Sequence, residues 1–246
     1  MKSALEVAEQ QQSVTVVAQD TDIFVLLVHH VQPGMAEVYM LSVCKARKSM
    51  VSKLLSIQKV QESIGTSAVR QLLVIHALTG CDTASALYGH RKASAFWKLV
   101  RSADTMPLTD IIASTTGTTD EVASAGMKLL VLLYGGQMSD NLNRLRFAKY
   151  MQKIPTSQVL LEKLPPTERA AFYHSLHVHV QVMQWTTLNT SVTEATNWGW
   201  KLEGKTVVPI LTDLEPAPAD LLKVIRCNCK RTSVNQCLTS ICTCSK

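Results

Sequence analysis

The sequence predicts an α/β domain with a mainly parallel sheet, followed by a run of helices. Hydrophobic residues make up 46% of the 246 residues and the mean hydropathy is +0.09, which provides enough apolar surface for a sizeable core. Two apolar segments, Val14–Ala18 and Glu37–Val43, alternate with helical patterns through short joins. After Asp82 the apolar spacing becomes mainly helical.

The first eighty residues supply the predicted sheet. Val14–Ala18 ends abruptly at an acidic turn, as a buried strand does at the edge of a sheet. Pro33-Gly34 forms a turn before the second strand, and Ile64-Gly65 separates two helices. The predicted elements are, in order, a helix over Lys2–Gln11, a strand over Val14–Ala18, a short apolar element over Ile23–His30, a strand over Glu37–Val43, and helices over Met50–Ser63 and Ser67–Leu78.

The remaining residues predict a helical extension and a small tail. Pro166-Thr167 suits the start of the last long helix, and a small hairpin is predicted over Lys201–Leu211. The helices are predicted over Ser94–Arg101, Asp120–Tyr134, Ser139–Gln152 and Thr167–Leu188. We therefore divide the chain into an α/β domain (1–104), a helical extension (105–190), an irregular linker (191–225) and a cysteine-rich tail (226–246).

The net charge and the hydropathy profile limit the classes of partner that the chain can have. The net charge of +6 is compatible with an acidic polymer as partner. No apolar run reaches the length that crosses a bilayer, and Glu6 and Glu9 interrupt the position of a secretory signal. We expect an intracellular protein with no membrane partner, and the sequence leaves its oligomeric state open.

Two carboxylates follow the first predicted strand. Asp20 and Asp22 lie at i and i+2 at the carboxyl end of Val14–Ala18, the edge where open α/β sheets bind ligands. Paired oxygen ligands without an adjacent Lys or Arg suit Mg²⁺ or Mn²⁺. The alternative is that both residues cap a helix that starts near Ile23, a common use of Asp.

A third carboxylate, Asp82, follows an apolar helix in the segment LLVIHALTGCDTASALYGHRKASAFWKLV. This arrangement resembles the flap endonuclease and XPG-like nuclease family, which is built on a PIN-like, Rossmann-like domain. The resemblance implies that Asp20, Asp22 and Asp82 are catalytic and hold Mg²⁺ or Mn²⁺ in a divalent-metal-dependent, structure-specific nuclease.

The same resemblance implies a helix–hairpin–helix element that grips a nucleic-acid backbone. Gly89 begins the hairpin, and Arg91, Lys92 and Lys98 would contact phosphates. The family pattern Gly-x-Gly is here Gly89-His90-Arg91, so we expect a weakened backbone grip. A solvated helix face is the alternative for the three cations.

The family places further acidic residues upstream of the Asp-x-Asp pair. Only 20 − 1 = 19 residues precede Asp20, so we expect an N-terminally truncated domain. Because two-metal hydrolysis needs carboxylates that flank both ions, we expect impaired catalysis. An active nuclease that uses Glu6 or Glu9 instead remains an alternative, and whether the chain is an enzyme stays open.

Four motifs in a fixed order resemble a group of transposon-derived animal proteins. That group carries a DTD-x-LVLL-HH segment, HALTGCDT-x-SA, an LPPT-x-x-A helix and a cysteine-rich tail. The motifs fall here at Asp20–His30, His76–Ala86, Leu164–Ala170 and Cys227–Cys244. The resemblance covers nearly the whole chain.

The tail is the most specific local signal. Its five cysteines lie at spacings typical of tetrahedral Zn²⁺ sites: Cys227, Cys229, Cys237, Cys242 and Cys244. Lys230 and Arg231 favour thiolates and offer phosphate contacts. The segment resembles the CXC repeat of tesmin-like DNA-binding proteins, shortened so that one Zn²⁺ can be saturated but not three. Reduced cysteines without metal are the alternative.

His174, His177 and His179 lie on one predicted helix. His174 and His177 share a face, so a metal pair is conceivable, but we expect packing or surface roles.

Together these features predict a nuclear, nucleic-acid-associated protein that resembles a nuclease but is catalytically impaired, with DNA a better candidate partner than RNA. The alternative is a non-catalytic, zinc-dependent DNA-binding or protein-interaction module.

Overall fold

A small mixed sheet and a larger set of helices form the fold. The structure is a computed structural model that describes residues 1–46, 49–155, 159–188 and 194–214. β1 (Val14–Val17), β2 (Val38–Ala46) and β3 (Ser49–Ser56) form one sheet in that order. β1 pairs in parallel with β2, whereas β2 pairs antiparallel with β3. The α/β class is confirmed, and the mainly parallel sheet is corrected to a mixed one.

β3 replaces the first half of a predicted helix. The sequence predicted one helix over Met50–Ser63, but only Ile57–Ile64 is helical. β3 lies antiparallel along β2, with Leu54 opposite Leu41 and Ser56 opposite Tyr39. The apolar spacing of this segment fits a strand as well as a helix, and pairing with β2 decides in favour of the strand. Ser56 then accepts a hydrogen bond from the Lys59 N–H and caps the following helix.

Apart from Met50–Ser63, the helical predictions are confirmed within a few residues, and the short apolar element after β1 is a helix. The sequence missed only α6 among the helices of the described residues. The bounds are α1 Lys2–Glu9, α2 Thr21–His30, α3 Ile57–Ile64, α4 Thr66–Leu78, α5 Lys92–Val100, α6 Thr105–Ile112, α7 Thr119–Leu133, α8 Leu142–Lys153 and α9 Glu168–Thr187. Short 3₁₀ turns cover Leu161–Lys163 and Ala195–Asn197, and the predicted hairpin is β4 (Trp200–Glu203) with β5 (Thr206–Pro209).

Two apolar clusters form the core, one under the sheet and one among the later helices. The first contains Leu27, Val38 and Ile57, and the second is centred on α4, α7 and α9. α7 and α9 approach closely at Gly126, where an added Cβ would overlap the Ser175 side chain. α4 contacts both α2 and α9 and so lies between the sheet side and the helical side.

Residues Met1–Leu211 form one compact unit. The boundary drawn from the sequence at residue 104 falls inside this unit, at the start of α6.

Candidate functional site

The acidic pair lies where β1 leads into α2. Asp20 is the N-cap of α2, and its Oδ1 accepts a hydrogen bond from the Asp22 N–H at 2.8 Å. The capping alternative is therefore confirmed for Asp20. Asp22 lies in the first turn of α2, where the helix dipole favours a negative charge. The Asp20 carboxyl group stabilises the start of α2, whereas the Asp22 carboxyl group bonds to a side chain of α4.

Asp22 is bonded to a buried histidine that the sequence did not single out. His76, in α4, donates its Nε2–H to Asp22 Oδ1 at 2.6 Å, and its side chain is 5% exposed. Burial lowers the pKa of His76, with Lys92 adding to the fall, while the Asp22 hydrogen bond and the Asp22 and Asp20 charges oppose it. We infer that the ring is neutral at pH 7, so the contact is a hydrogen bond to a carboxylate rather than an ion pair.

Lys92 completes the cluster. Its Nζ lies 3.2 Å from the same His76 Nε2. One ring nitrogen can donate to a carboxylate or accept from an ammonium, but not both at once. Asp22 and Lys92 therefore compete for one histidine nitrogen. We call Asp20, Asp22, His76 and Lys92 the carboxylate cluster.

Asp82 does not join these groups as a third ligand. Gly80 has a φ of +113°, and a Cβ there would lie 2.5 Å from Ala86 Cα, so the loop folds closely on itself. Thr83 donates a hydrogen bond to Gln181 of α9, and Asp82 itself is exposed. Within residues 1–46, 49–155, 159–188 and 194–214, no three His, Cys, Asp or Glu side chains are placed to hold one metal ion.

The carboxylate cluster still offers a donor set that suits a hard cation. Asp20 and Asp22 both lie near enough to His76 for their charges to raise its pKa. Mg²⁺ is commonly bound by one or two carboxylates while waters and phosphate oxygens complete its shell. The two aspartates offer at most part of such a shell, because the described residues contain no group of three metal-ligating side chains.

The residues predicted to contact nucleic acid have three different surroundings. Gly89 has a φ of +80° and open space around it, and Arg91 is exposed at the start of α5. Lys92 belongs to the carboxylate cluster. Lys98 donates to the Leu133 carbonyl at 2.7 Å, at the C-terminal end of α7, and burial and then Lys149 lower its pKa. Lys98 therefore stabilises the C-terminal end of α7.

The histidines of α9 have structural partners. His174 bonds to the Leu78 carbonyl at 2.9 Å, His177 to that of Gly199 at 2.7 Å, and His179 to that of Ile112 at 2.7 Å. Burial lowers the pKa of each, although the carbonyl bond opposes the fall. The expected packing role is confirmed.

An apolar cavity of about 280 Å³ lies beside the carboxylate cluster. His76 and Lys92 line it together with aromatic side chains of α2 and α5, Phe24, Phe96 and Trp97. His76 and Lys92 are the residues of the carboxylate cluster that border this cavity.

The cysteine-rich tail lies outside the described residues. This holds for the zinc ligands predicted from Cys227 to Cys244 and for Lys230 and Arg231. The zinc site stays a prediction.

Comparisons of the chain with protein-family models, curated proteins and solved structures found no match. Among the described residues, none of the helices combines the length and the apolar character that crossing a membrane requires.

Proposed function

We propose that this chain is a nucleic-acid-associated protein with a nuclease-like, PIN-like α/β domain that binds a divalent cation and a phosphate but hydrolyses poorly. The observation that carries the proposal is the carboxylate cluster: two aspartates at the carboxyl end of a parallel strand, with Lys92 beside them. DNA is the expected polymer, and we expect the protein in the nucleus.

Each residue of the cluster has a stated role in this proposal. Asp20 and Asp22 would supply oxygen ligands to one Mg²⁺ or Mn²⁺, and water and phosphate oxygens would complete its shell. A bound cation of this kind polarises a phosphoryl oxygen. His76 orients Asp22 through its hydrogen bond, and Lys92 contacts the phosphate once Asp22 faces the cation. Arg91, exposed at the start of α5, adds a second phosphate contact.

Poor hydrolysis follows from the number of carboxylates. Two-metal cleavage needs ligands for both ions, so that attacking and leaving oxygens are stabilised together. The described residues supply no group of three His, Cys, Asp or Glu for even one complete site. We therefore expect cation-assisted binding rather than turnover.

The test is the binding of labelled single-stranded and duplex DNA, followed by fluorescence anisotropy with and without Mn²⁺. We expect Mn²⁺ to strengthen binding by about tenfold or more, since a bridging cation removes the repulsion between carboxylates and phosphate. Asp22→Asn should abolish the gain, whereas Asp120→Asn, an exposed aspartate of α7, should retain it.

Three outcomes would change the proposal. DNA cut in the presence of Mn²⁺ would indicate an active nuclease that uses Glu6 or Glu9. No DNA binding in any condition would favour a protein-interaction module, in which the Asp20 cap and the Asp22–His76 bond are purely structural. If neither Mn²⁺ nor Asp22→Asn changes the affinity for DNA, the protein does not use a cation at this site to bind DNA.

The cysteine-rich tail extends the proposal to zinc. We expect it to bind one Zn²⁺ through four of its five thiolates and to add DNA affinity through Lys230 and Arg231. Zinc content measured by mass spectrometry should fall when Cys237 and Cys242 are both changed to Ser. An unchanged content would contradict the zinc assignment.

A further inference from the structure

The outward face of α8 is apolar and exposed. Phe147, Met151 and Ile154 are 64%, 48% and 47% exposed and lie at i, i+4 and i+7. This spacing places them along one stripe of the α8 surface, continued by the residue after its last turn. Leu142 and Leu145 lie on the opposite face and join the helical core. α8 is therefore apolar on both sides, and only one side is covered within the described residues.

A depression continues the stripe. The 3₁₀ turn after α8 brings Leu161, 58% exposed, beside the helix. Phe147, Tyr150, Leu161 and Leu164 line a cavity of about 230 Å³. A concave site of this kind accepts an inserted apolar side chain. We call the stripe and the depression together the α8 groove.

The rim of the α8 groove is cationic. The helix sequence LNRLRFAKYMQK contains four cations and no Asp or Glu, and the 3₁₀ turn adds one acidic residue, Glu162, and one further cation, Lys163. Arg144 lies one turn before Phe147, and it has no ion pair or side-chain hydrogen bond with the described residues. Arg146 lines the depression and donates to the Pro165 carbonyl, which leaves other N–H groups of its guanidinium available.

We infer that the α8 groove docks an acidic amphipathic helix of a partner protein. An apolar centre with a charged rim is the composition of protein interfaces, and an apolar stripe beside a depression can accept the anchors that an incoming amphipathic helix presents at i, i+4 and i+7. The cationic rim selects acidic flanks on that helix. No residue of the carboxylate cluster lines the groove, so the inference is independent of the proposed nuclease-like site.

Other occupants fit the surface less well. Nucleic-acid interfaces are more polar than this stripe and depend on phosphate contacts. A helix that lies on a membrane inserts a convex apolar face, whereas this surface contains a depression. Two copies of the chain would bring the same cationic rims together, which like-charge repulsion opposes.

The probe is a synthetic fluorescent helix with Leu at the first and fourth position of each heptad and Glu on its flanks, and its matched form has Lys in place of Glu. Anisotropy titration with the full chain should show binding of the Glu peptide only. Phe147→Glu should weaken that binding at least about tenfold, and Arg144→Glu about threefold or more. Leu202→Glu, at an equally exposed apolar position on β4, should leave it unchanged.

Circular dichroism of each variant checks that the chain remains folded. Binding of neither peptide, or equal binding of both, would overturn the inference, as would an unaltered affinity in Phe147→Glu. A concentration-dependent dimer that Phe147→Glu dissociates would assign the groove to a second copy. Anionic vesicles or single-stranded DNA that bind the wild type but not Phe147→Glu would assign it to lipid or to nucleic acid.

Discussion

The carboxylate cluster and the histidines of α9 show two ways to bury an imidazole. His76 on the sheet side and His179 on the helical side both have a pKa lowered by burial. His179 bonds to a backbone carbonyl, which satisfies a neutral ring and adds no charge. His76 bonds to Asp22 and approaches Lys92, so its surroundings contain charges that an added cation or phosphate can rearrange. The partner of the ring, rather than its burial, separates a structural histidine from a candidate functional one.

The largest expected effect is on the helical side, where packing is closest. Gly126→Ala should lower the free energy of unfolding by about 3 kcal/mol, because the added Cβ overlaps Ser175 across the α7–α9 contact. Urea denaturation measures the change. Ser124→Ala, an exposed position in the same helix, should change stability by less than about 0.5 kcal/mol. Equal stabilities of the two variants would contradict the close contact.

Removal of a structural histidine should separate stability from cation binding. His179→Phe leaves the Ile112 carbonyl without its partner and should cost about 2 kcal/mol. The affinity for Mn²⁺ should stay at the wild-type value, since the ring lies outside the carboxylate cluster. A loss of Mn²⁺ binding in this variant, measured by calorimetry, would contradict the claim that His179 has only a structural role.

Acidification should destabilise both regions. The folded-state pKa values of His76, His174 and His177 lie below the usual 6.5, and burial brings that of His29 to about 4. Below about pH 6.5 the unfolded chain binds more protons than the folded one, so stability falls as the pH drops through the folded-state values. Urea unfolding at pH 7.5, 6 and 5 should show this trend, and His179→Phe should make it shallower. A free energy of unfolding that increases as the pH falls from 7.5 to 5 would contradict this prediction.

The smallest expected effect concerns Lys98. Lys98→Met removes the hydrogen bond to Leu133 at the end of α7 and should cost about 1 kcal/mol. DNA affinity and its salt dependence should not change, because this ammonium is already occupied. A shallower salt dependence in Lys98→Met would show instead that Lys98 contacts phosphates.

The sequence predicted most helices because their signals are local. α7 has a complete capping box, in which Thr118 and Glu121 each bond to the backbone of the other, followed by a continuous apolar face. β3 could not be predicted in the same way. Its spacing is ambiguous, and its strand form depends on pairing with β2, a contact that only the folded chain makes.

In the candidate site too, the sequence predicted the local features and missed the contacts between distant residues. The Asp20–Asp22 pair follows directly from its position after β1. His76 reaches Asp22 across 54 residues, and its place on an apolar helix gives no local sign of that partner. Lys92 was expected at a phosphate but lies against His76, because the loop between α4 and α5 brings the start of α5 back to the C-terminal end of α4.

Calorimetric titration with Mn²⁺ tests the carboxylate cluster most directly. The wild-type chain should bind the ion, and Asp22→Asn should bind it at least about tenfold more weakly, because a charged ligand is lost. Lys92→Gln should bind it more tightly, because a positive charge that repels the ion is removed from the cluster. Equal affinities in all three proteins would show that these aspartates serve only the fold.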